Sequence, residues 1–385
     1  MKIAKVGDLH IGARGANRHV RDFIDKWCRY LFEDMKNRGV DKYVQLGDAF
    51  DTRKALDGLD FEWVRNEFIP LHEKNGVEGY YIPGNHDIPY KESCRISWVH
   101  LLGDLSPRIH VFDTPGDRKI GDVTCCFLPW ICMDNVVESL AMLEESEADW
   151  CFAHLELGGF EMYKNSPCLE SRFNLNATHF KNFKRVLTGH FHTKSQKGNI
   201  DYVGTPYPLT WQDWADAEQG LRGYHILDTE TGELEFIANP EHVKSMFKVF
   251  TYNWEAIKDD SSLQIQLKTV SELETTHDLA GKIVKILVED RGNAKHYKDF
   301  VDAVRRCKTI DTTYIDMTML DAKGAQTAHD FVCQTAGDEQ NDELRTQTDI
   351  VQVMNERLER SGLDAKYHNE TKSLIASTYD ISKDT

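Results

Sequence analysis

The chain has 385 residues, 63 of them acidic and 46 basic, for a formal net charge of −17. That balance argues against a basic nucleic-acid coat protein or a polybasic membrane binder. It does not exclude an enzyme that holds phosphate through metal ions, because bound cations dominate a site's local charge. The first elements in chain order are short apolar runs, Lys2–Val6, Lys42–Leu46 and Gly79–Ile82, which predict buried strands. Between them, Val20, Ile24, Trp27, Leu31 and Met35 fall on one face of a predicted helix, and Phe61, Val64, Phe68 and Leu71 on another. Val123–Leu128, Trp150–Ala153 and Arg185–Thr188 predict further strands, and the alternation implies α/β layering with sites at the carboxyl ends of strands. Tyr224–Leu227 and Leu234–Ile237 flank Asp228–Gly232 and predict a hairpin that closes this part of the chain.

From about Glu241 the texture changes. Phe247–Tyr252, Lys282–Val288 and Thr313–Met319 read as strands and Lys295–Arg306 as a helix, together a small α+β unit. Residues 321–342 are rich in Gln, Thr, Asp, Ala and Gly and read as a linker. Two amphipathic helices are expected near Thr346–Arg360 and Ala365–Ser377. They cannot bury Ile350, Met354, Leu358, Leu374 and Ile375 on themselves, so a partner surface is expected there. The expected units are therefore 1–240, 241–320, the linker 321–342, and 343–385. The nine cysteines contain no C-x-x-C pair and sit in apolar contexts, as reduced core residues of a cytoplasmic protein do. Met1–Val6 reads straight into a strand pattern, so no signal-peptide architecture is expected, and no apolar run approaches membrane-spanning length.

The informative residues follow the strands. They are Gly7-Asp8-Leu9-His10, Gly47-Asp48-Ala49-Phe50-Asp51, Gly84-Asn85-His86-Asp87, His154, and Gly189-His190-Phe191-His192. A polar side chain behind an apolar strand is costly unless paired or metal-bound. Mixed carboxylate and imidazole ligands suit Mn, Fe or Zn better than Ca or Mg. One residue between two ligands lets both face the same side of an extended segment. Each motif alone is a weak or moderate signal; all five in order, each at a strand end, are a strong one.

These motifs resemble the calcineurin-like metallophosphoesterases. The resemblance implies a β-sandwich core flanked by helices, with two metals above the strand ends. Asp8, His10, Asp48 and His192 would hold one metal; Asp48, Asn85, His154 and His190 would hold the other, with Asp48 as the bridge. His86 would be the catalytic imidazole, oriented by Asp51. The run Asp51-Thr52-Arg53-Lys54 and the final Asp87 depart from the phosphoprotein phosphatases. Leu128-Pro129-Trp130, Gly204-Thr205-Pro206 and Arg222-Gly223-Tyr224 resemble instead the SbcD-type DNA repair nucleases, most closely their phage recombination relatives. That likeness implies a DNA exonuclease or endonuclease with a small capping domain and a C-terminal helical pair that binds an SbcC-like coiled-coil ATPase. It also implies Mn²⁺, with Mg²⁺ possible, and a homodimer through Phe61–Leu71 and Ile96–Leu102. Arg53, Lys54, Lys91 and Arg95 are candidate DNA contacts, because any suitably placed Lys or Arg can meet a phosphate. Trp211 and Trp214 could stack bases or pack a hairpin onto the sheet. A phosphomonoesterase or small phosphodiesterase, and a non-catalytic scaffold, are the alternative readings.

Overall fold

The structure, a computed structural model, describes residues 1–163, 166–168 and 171–318. The expected linker and helical pair, with Ile350, Met354, Leu358, Leu374 and Ile375, lie outside the described residues. The chain runs through β1 (Lys2–Val6), β2 (Lys42–Gln45), β3 (Glu78–Tyr81), β4 (Ile109–Val111), β5 (Gly116–Ile120), β6 (Val123–Leu128) and β7 (Trp150–His154). A small pair, β8 (Glu161–Tyr163) and β9 (Ser166–Pro167), precedes β10 (Arg185–Gly189), β11 (Ser195–Lys197), β12 (Ile200–Tyr202), β13 (Gly223–Asp228) and β14 (Leu234–Ala238). These build two six-stranded sheets, ordered β14-β13-β1-β2-β3-β4 and β11-β12-β10-β7-β6-β5. β1 to β4 run parallel, as do β6, β7, β10 and β12, while β13 lies antiparallel against β1.

The strand alternation explains why the sheets stack. Cys125, Phe127, Trp150 and Phe152 join Ile3, Val44, Leu46 and Ile82 in a core between the sheets. The intervening Cys126, Leu128, Cys151 and Ala153 fill a second core on the other face, with Leu143 of the helix Val136–Glu145. Strands buried on both faces read as continuous apolar runs, which is how the sequence showed them. On the first sheet, the helix Arg18–Asn37 buries Val20, Ile24, Trp27, Leu31 and Met35, and Phe32 meets the Tyr43 ring at 5.8 Å. The second predicted helix is a continuous run from Gly58 to Asn75, with a π turn over Val64–Phe68. There the Ile69 N–H donates to Val64 O, one residue before Pro70, which has no N–H to continue the ordinary ladder. The helix expected over Ile96–Leu102 instead spans His100–Leu105, leaving Ile96 in the preceding loop. No described helix is long and apolar enough to cross a membrane.

Lys5 is an anomaly in the central core. It is fully buried, its Nζ has no hydrogen-bond partner, and that Nζ lies 3.2 Å from the centroid of the Phe152 ring. Burial holds its pKa well below the ordinary value, with a smaller opposing effect from Cys125. The folded protein therefore binds fewer protons at Lys5 than the unfolded chain, so this cost fades as pH rises toward the unfolded value of about 10.4. Lys5→Met should raise the melting temperature at pH 7, and the gain should shrink toward pH 10. Thermal melts across that range check it; a gain independent of pH would refute this account.

A third sheet is entirely parallel, ordered β15 (Phe247–Asn253), β16 (Ile283–Asp290), β17 (Asp311–Asp316). Its crossovers carry short helices and the helix Ala294–Val304, whose Phe300, Ala303 and Val304 pack with Tyr252, Ile286 and Val288. The last strand begins and ends earlier than expected, and Met317 already bonds back to the Val288 carbonyl beyond it. Trp211 resolves its two readings toward packing. It is buried in the helix Trp211–Glu218, its ring 4.8 Å from Phe247 and 4.4 Å from Lys285 Nζ.

Candidate metal centre

The carboxyl ends of β1, β2, β3, β7 and β10 converge, and with them the motif residues. Asp8, His10 and His192 form one cluster and Asp48, His154 and His190 a second; in each, the ligand-capable atoms lie within 4.8 Å of one another. Asp48 touches both. Its Oδ2 is 3.3 Å from His154 Nε2 and 4.0 Å from His10 Nε2. Its Oδ1 accepts the His86 backbone N–H at 2.8 Å. Asn85 Oδ1 is 3.0 Å from His154 Nε2, and Asp8 accepts the His190 N–H at 3.0 Å.

Local backbone geometry serves this convergence. His10, Asp48 and His190 have φ values of 48°, 54° and 88°, the left-handed region that non-glycine residues rarely adopt. Such strain persists where surrounding structure over-determines it, and it clusters at functional sites. Gly84 and Gly189 permit the close approach: a Cβ at Gly84 would collide with the Asp48 carboxylate, and one at Gly189 with that of Asp8. Asp87, fully buried, ties the second and third motifs together by accepting the N–H groups of Ala49, Phe50 and Gly84 at 3.2, 2.9 and 2.8 Å.

The electrostatics are those of opposite charges packed in a buried site. Burial pushes Asp8 up to about 7, with the Asp48 charge adding to it. Burial would raise Asp48 too, yet the His154, His86 and His10 imidazoles hold it well below the usual carboxylate range. Burial works against protonation of His154, but Asp48 and Asp8 overcome it and bring its pKa to about 9. His192 falls to about 3, mainly by burial.

The residues fit divalent cations. His10 Nε2 and His190 Nε2 are buried and make no hydrogen bond. Unsatisfied buried polar atoms cost about 1–3 kcal/mol each, so two at one spot point to a missing partner. The outer nitrogens are arranged as metal-binding imidazoles require. His10 Nδ1 is 3.0 Å from Asp51 Oδ1, and His154 Nδ1 donates to the Leu46 carbonyl at 2.7 Å. That leaves each Nε2 facing inward.

Asp51 departs from the expected arrangement. Its carboxylate bonds His10, while His86 Nδ1 donates to the Asp51 backbone carbonyl at 2.5 Å. The cause is the loop path: Asp51 N–H bonds the Ile11 carbonyl, which sets this residue beside the first motif. The His86 ring meets that of His10 edge-on at 4.8 Å. Among the expected DNA contacts, Arg53 Nε donates to the Asn85 carbonyl at 2.8 Å, and the Lys91 carbonyl accepts from Trp130 Nε1 at 3.3 Å. Lys54 is exposed, and Arg95, 84% exposed, lies 3.6 Å from Asp134.

Three residues near the site escaped the sequence reading. Glu156 Oε2 is 3.7 Å from His190 Nε2, and its place in His154-Leu155-Glu156 repeats the spacing of Asp8-Leu9-His10, a signal that could have found it. Asp213 Oδ2 is 3.9 Å from His192 Nδ1, but it sits in a helix with no strand-end signal. Arg172 pairs with Glu92 and lies 6.0 Å over the Trp130 ring, itself 5.1 Å from His190.

Comparison with known proteins identifies the family. Exonuclease subunit 1 of Enterobacteria phage T4 is 34% identical over 241 residues, 62% of this chain and 68% of that protein. A solved structure, GAP50, the anchor in the inner membrane complex of Plasmodium, matches 64% of this chain and 90% of its own, at 13% identity and a TM-score of 0.38. The sequence profile of the calcineurin-like phosphoesterases matches residues 1–194. That span covers every strand end that contributes to the site, and the chain belongs to the calcineurin-like phosphoesterase family, whose chemistry implies divalent metal ions here.

Proposed function

We propose that this chain is a two-metal DNA nuclease, an exonuclease or endonuclease of recombination and double-strand-break repair. It works in the cytoplasm with an SbcC-like ATPase. The carrying observation is the Asp48 carboxylate, which lies within 4.0 Å of imidazoles in both clusters. Asp8, His10, Asp48 and His192 would hold one ion, and Asp48, Asn85, His154 and His190 the other. When bound, such ions act as Lewis acids on a phosphodiester oxygen and lower the pKa of water. The mixed donor set suits Mn²⁺ better than Mg²⁺, and the family resemblance makes Mn²⁺ the expected ion, with Mg²⁺ as the second choice.

His86 is the acid–base candidate. Its Nδ1 faces a carbonyl, which can only accept, so Nδ1 carries a proton and proton exchange falls to Nε2. In the protonated ring, Nε2–H can stabilise phosphoryl oxygens or protonate the leaving alkoxide. Arg53, Lys91 and Arg172 lie on residues that touch the site, which supports a polyanionic substrate over a small monoester. The name of the T4 relative, an exonuclease subunit, supports both DNA and a partner. A capping role for residues 241–320 and a homodimer are part of the same reading. Leu59 and Ile96, 61% and 53% exposed, offer apolar side chains for the latter.

The test is an assay of end-labelled duplex and single-stranded DNA against p-nitrophenyl phosphate, in Mn²⁺ and Mg²⁺, with and without the ATPase. Cleavage of DNA in preference to the monoester, with duplex activity raised by the ATPase, is expected. Monoester turnover without DNA cleavage would overturn the nuclease reading.

A further inference from the structure

We infer that Asp213, gripped by Arg222, is the positioning residue for His192 and sets the affinity of the metal position that His192 serves. This rests on reading the site as a metal centre. His192 is the imidazole with the least direct support. Its Nδ1 is buried without a hydrogen bond, whereas His10 and His154 each have an acceptor on Nδ1 at 3.0 and 2.7 Å. The carboxylate facing that nitrogen belongs to Asp213, with Oδ2 at 3.9 Å.

Asp213 cannot drift. It is the third residue of a capping box with Thr210, and its Oδ2 accepts the N–H groups of Leu209 and Thr210 at 3.1 and 3.0 Å. Its Oδ1 accepts Arg222 Nη2 at 3.0 Å. Arg222 is itself buried, and its Nη1 donates to the His192 backbone carbonyl at 2.5 Å and to the Thr205 hydroxyl. One guanidinium thus holds both the main chain of His192 and the carboxylate beside its ring.

Arg222 Nη2 also binds Asp216 at 2.9 Å, so one guanidinium braces two carboxylates beside His192. When an imidazole binds a cation, its other N–H becomes a stronger donor, and a carboxylate behind it fixes the ring and raises its basicity. Hydrogen bonds of this kind are often long before the ligand arrives and tighten with it. Asp213 thereby does for His192 what Asp51 does for His10.

The test is Mn²⁺ titration of the full chain, followed by calorimetry and by electron paramagnetic resonance, which separates a coupled pair from a single ion. Wild-type protein should bind two ions. Asp213→Asn should weaken one of them by about 10–100-fold, the usual effect of losing an outer-shell partner, and give the signal of a single ion at limiting metal. Arg222→Lys, which keeps the charge but loosens the grip, should give the same selective loss, and stands in if Asp213→Asn does not fold. In a His192→Ala background, Asp213→Asn should have no further effect on affinity, because coupled residues are not additive. A wild type that binds two ions together with variants of unchanged affinity would overturn this inference alone. So would equal weakening of both ions, or an undiminished Asp213→Asn effect in the His192→Ala background. A wild type that binds fewer than two ions would overturn the metal reading and this inference with it.

Discussion

Asp48→Asn should abolish hydrolysis and weaken both metal ions together. The carboxylate is fully enclosed, lies near His154 and His10, and is the acid whose charge the surrounding imidazoles stabilise most. An amide of the same shape keeps the packing and removes the charge. Metal ions contribute several kcal/mol of transition-state stabilisation, and each 1.36 kcal/mol is tenfold in rate. A loss of about 10³-fold or more is therefore expected. Metal analysis beside a DNA cleavage assay checks it. Loss of one ion alone would show that Asp48 is not shared.

His86→Ala should behave differently. Both ions should stay, while turnover falls by about 10²–10⁴-fold, the scale of a positioned acid–base group. His86 donates through Nδ1 to the Asp51 backbone carbonyl, and an Asp51 carboxylate oxygen lies within 4.8 Å of one of its ring nitrogens. Asp51→Asn then has a different expected signature from the one the family resemblance implies. Because its carboxylate bonds His10, the change should weaken metal affinity before it slows the chemical step. Separate measurement of metal affinity and turnover for the two variants distinguishes these roles. An emptied metal position in His86→Ala would make that imidazole a ligand.

The strand ends were legible because Asp, His and Asn after an apolar run are chemically conspicuous. β1, β2, β3, β6, β7 and β10 fall within a residue of their expected bounds for the same reason: they are buried on both faces. Two of the edge strands lack that signal. β5 reads Gly-Asp-Arg-Lys-Ile and β11 reads Ser-Gln-Lys, so polarity concealed them. Lys5 was hidden the other way, a charged residue inside a run that behaves as apolar. The orientation of Asp51 was not readable, because the rings of His10 and His86 are only 4.8 Å apart and either could take the carboxylate. Asp213 and Arg222 act through the folding of a helix and a loop against His192, and no local spacing encodes that.

The placement of β13 beside β1 has a consequence for synthesis. Lys2 sits opposite Asp228, and Asp8 accepts its backbone hydrogen bond from a residue 182 positions later. Translation proceeds at about 5–20 residues per second, so the first strand waits roughly 10–45 s for its antiparallel neighbour. Until then its outer edge is an open template for strand pairing, next to a run of apolar side chains. A nascent chain still short of His190 cannot assemble either ligand cluster in full, so metal loading belongs to the period after most of the second sheet has left the ribosome. Contacts this distant in sequence also make spontaneous folding slow.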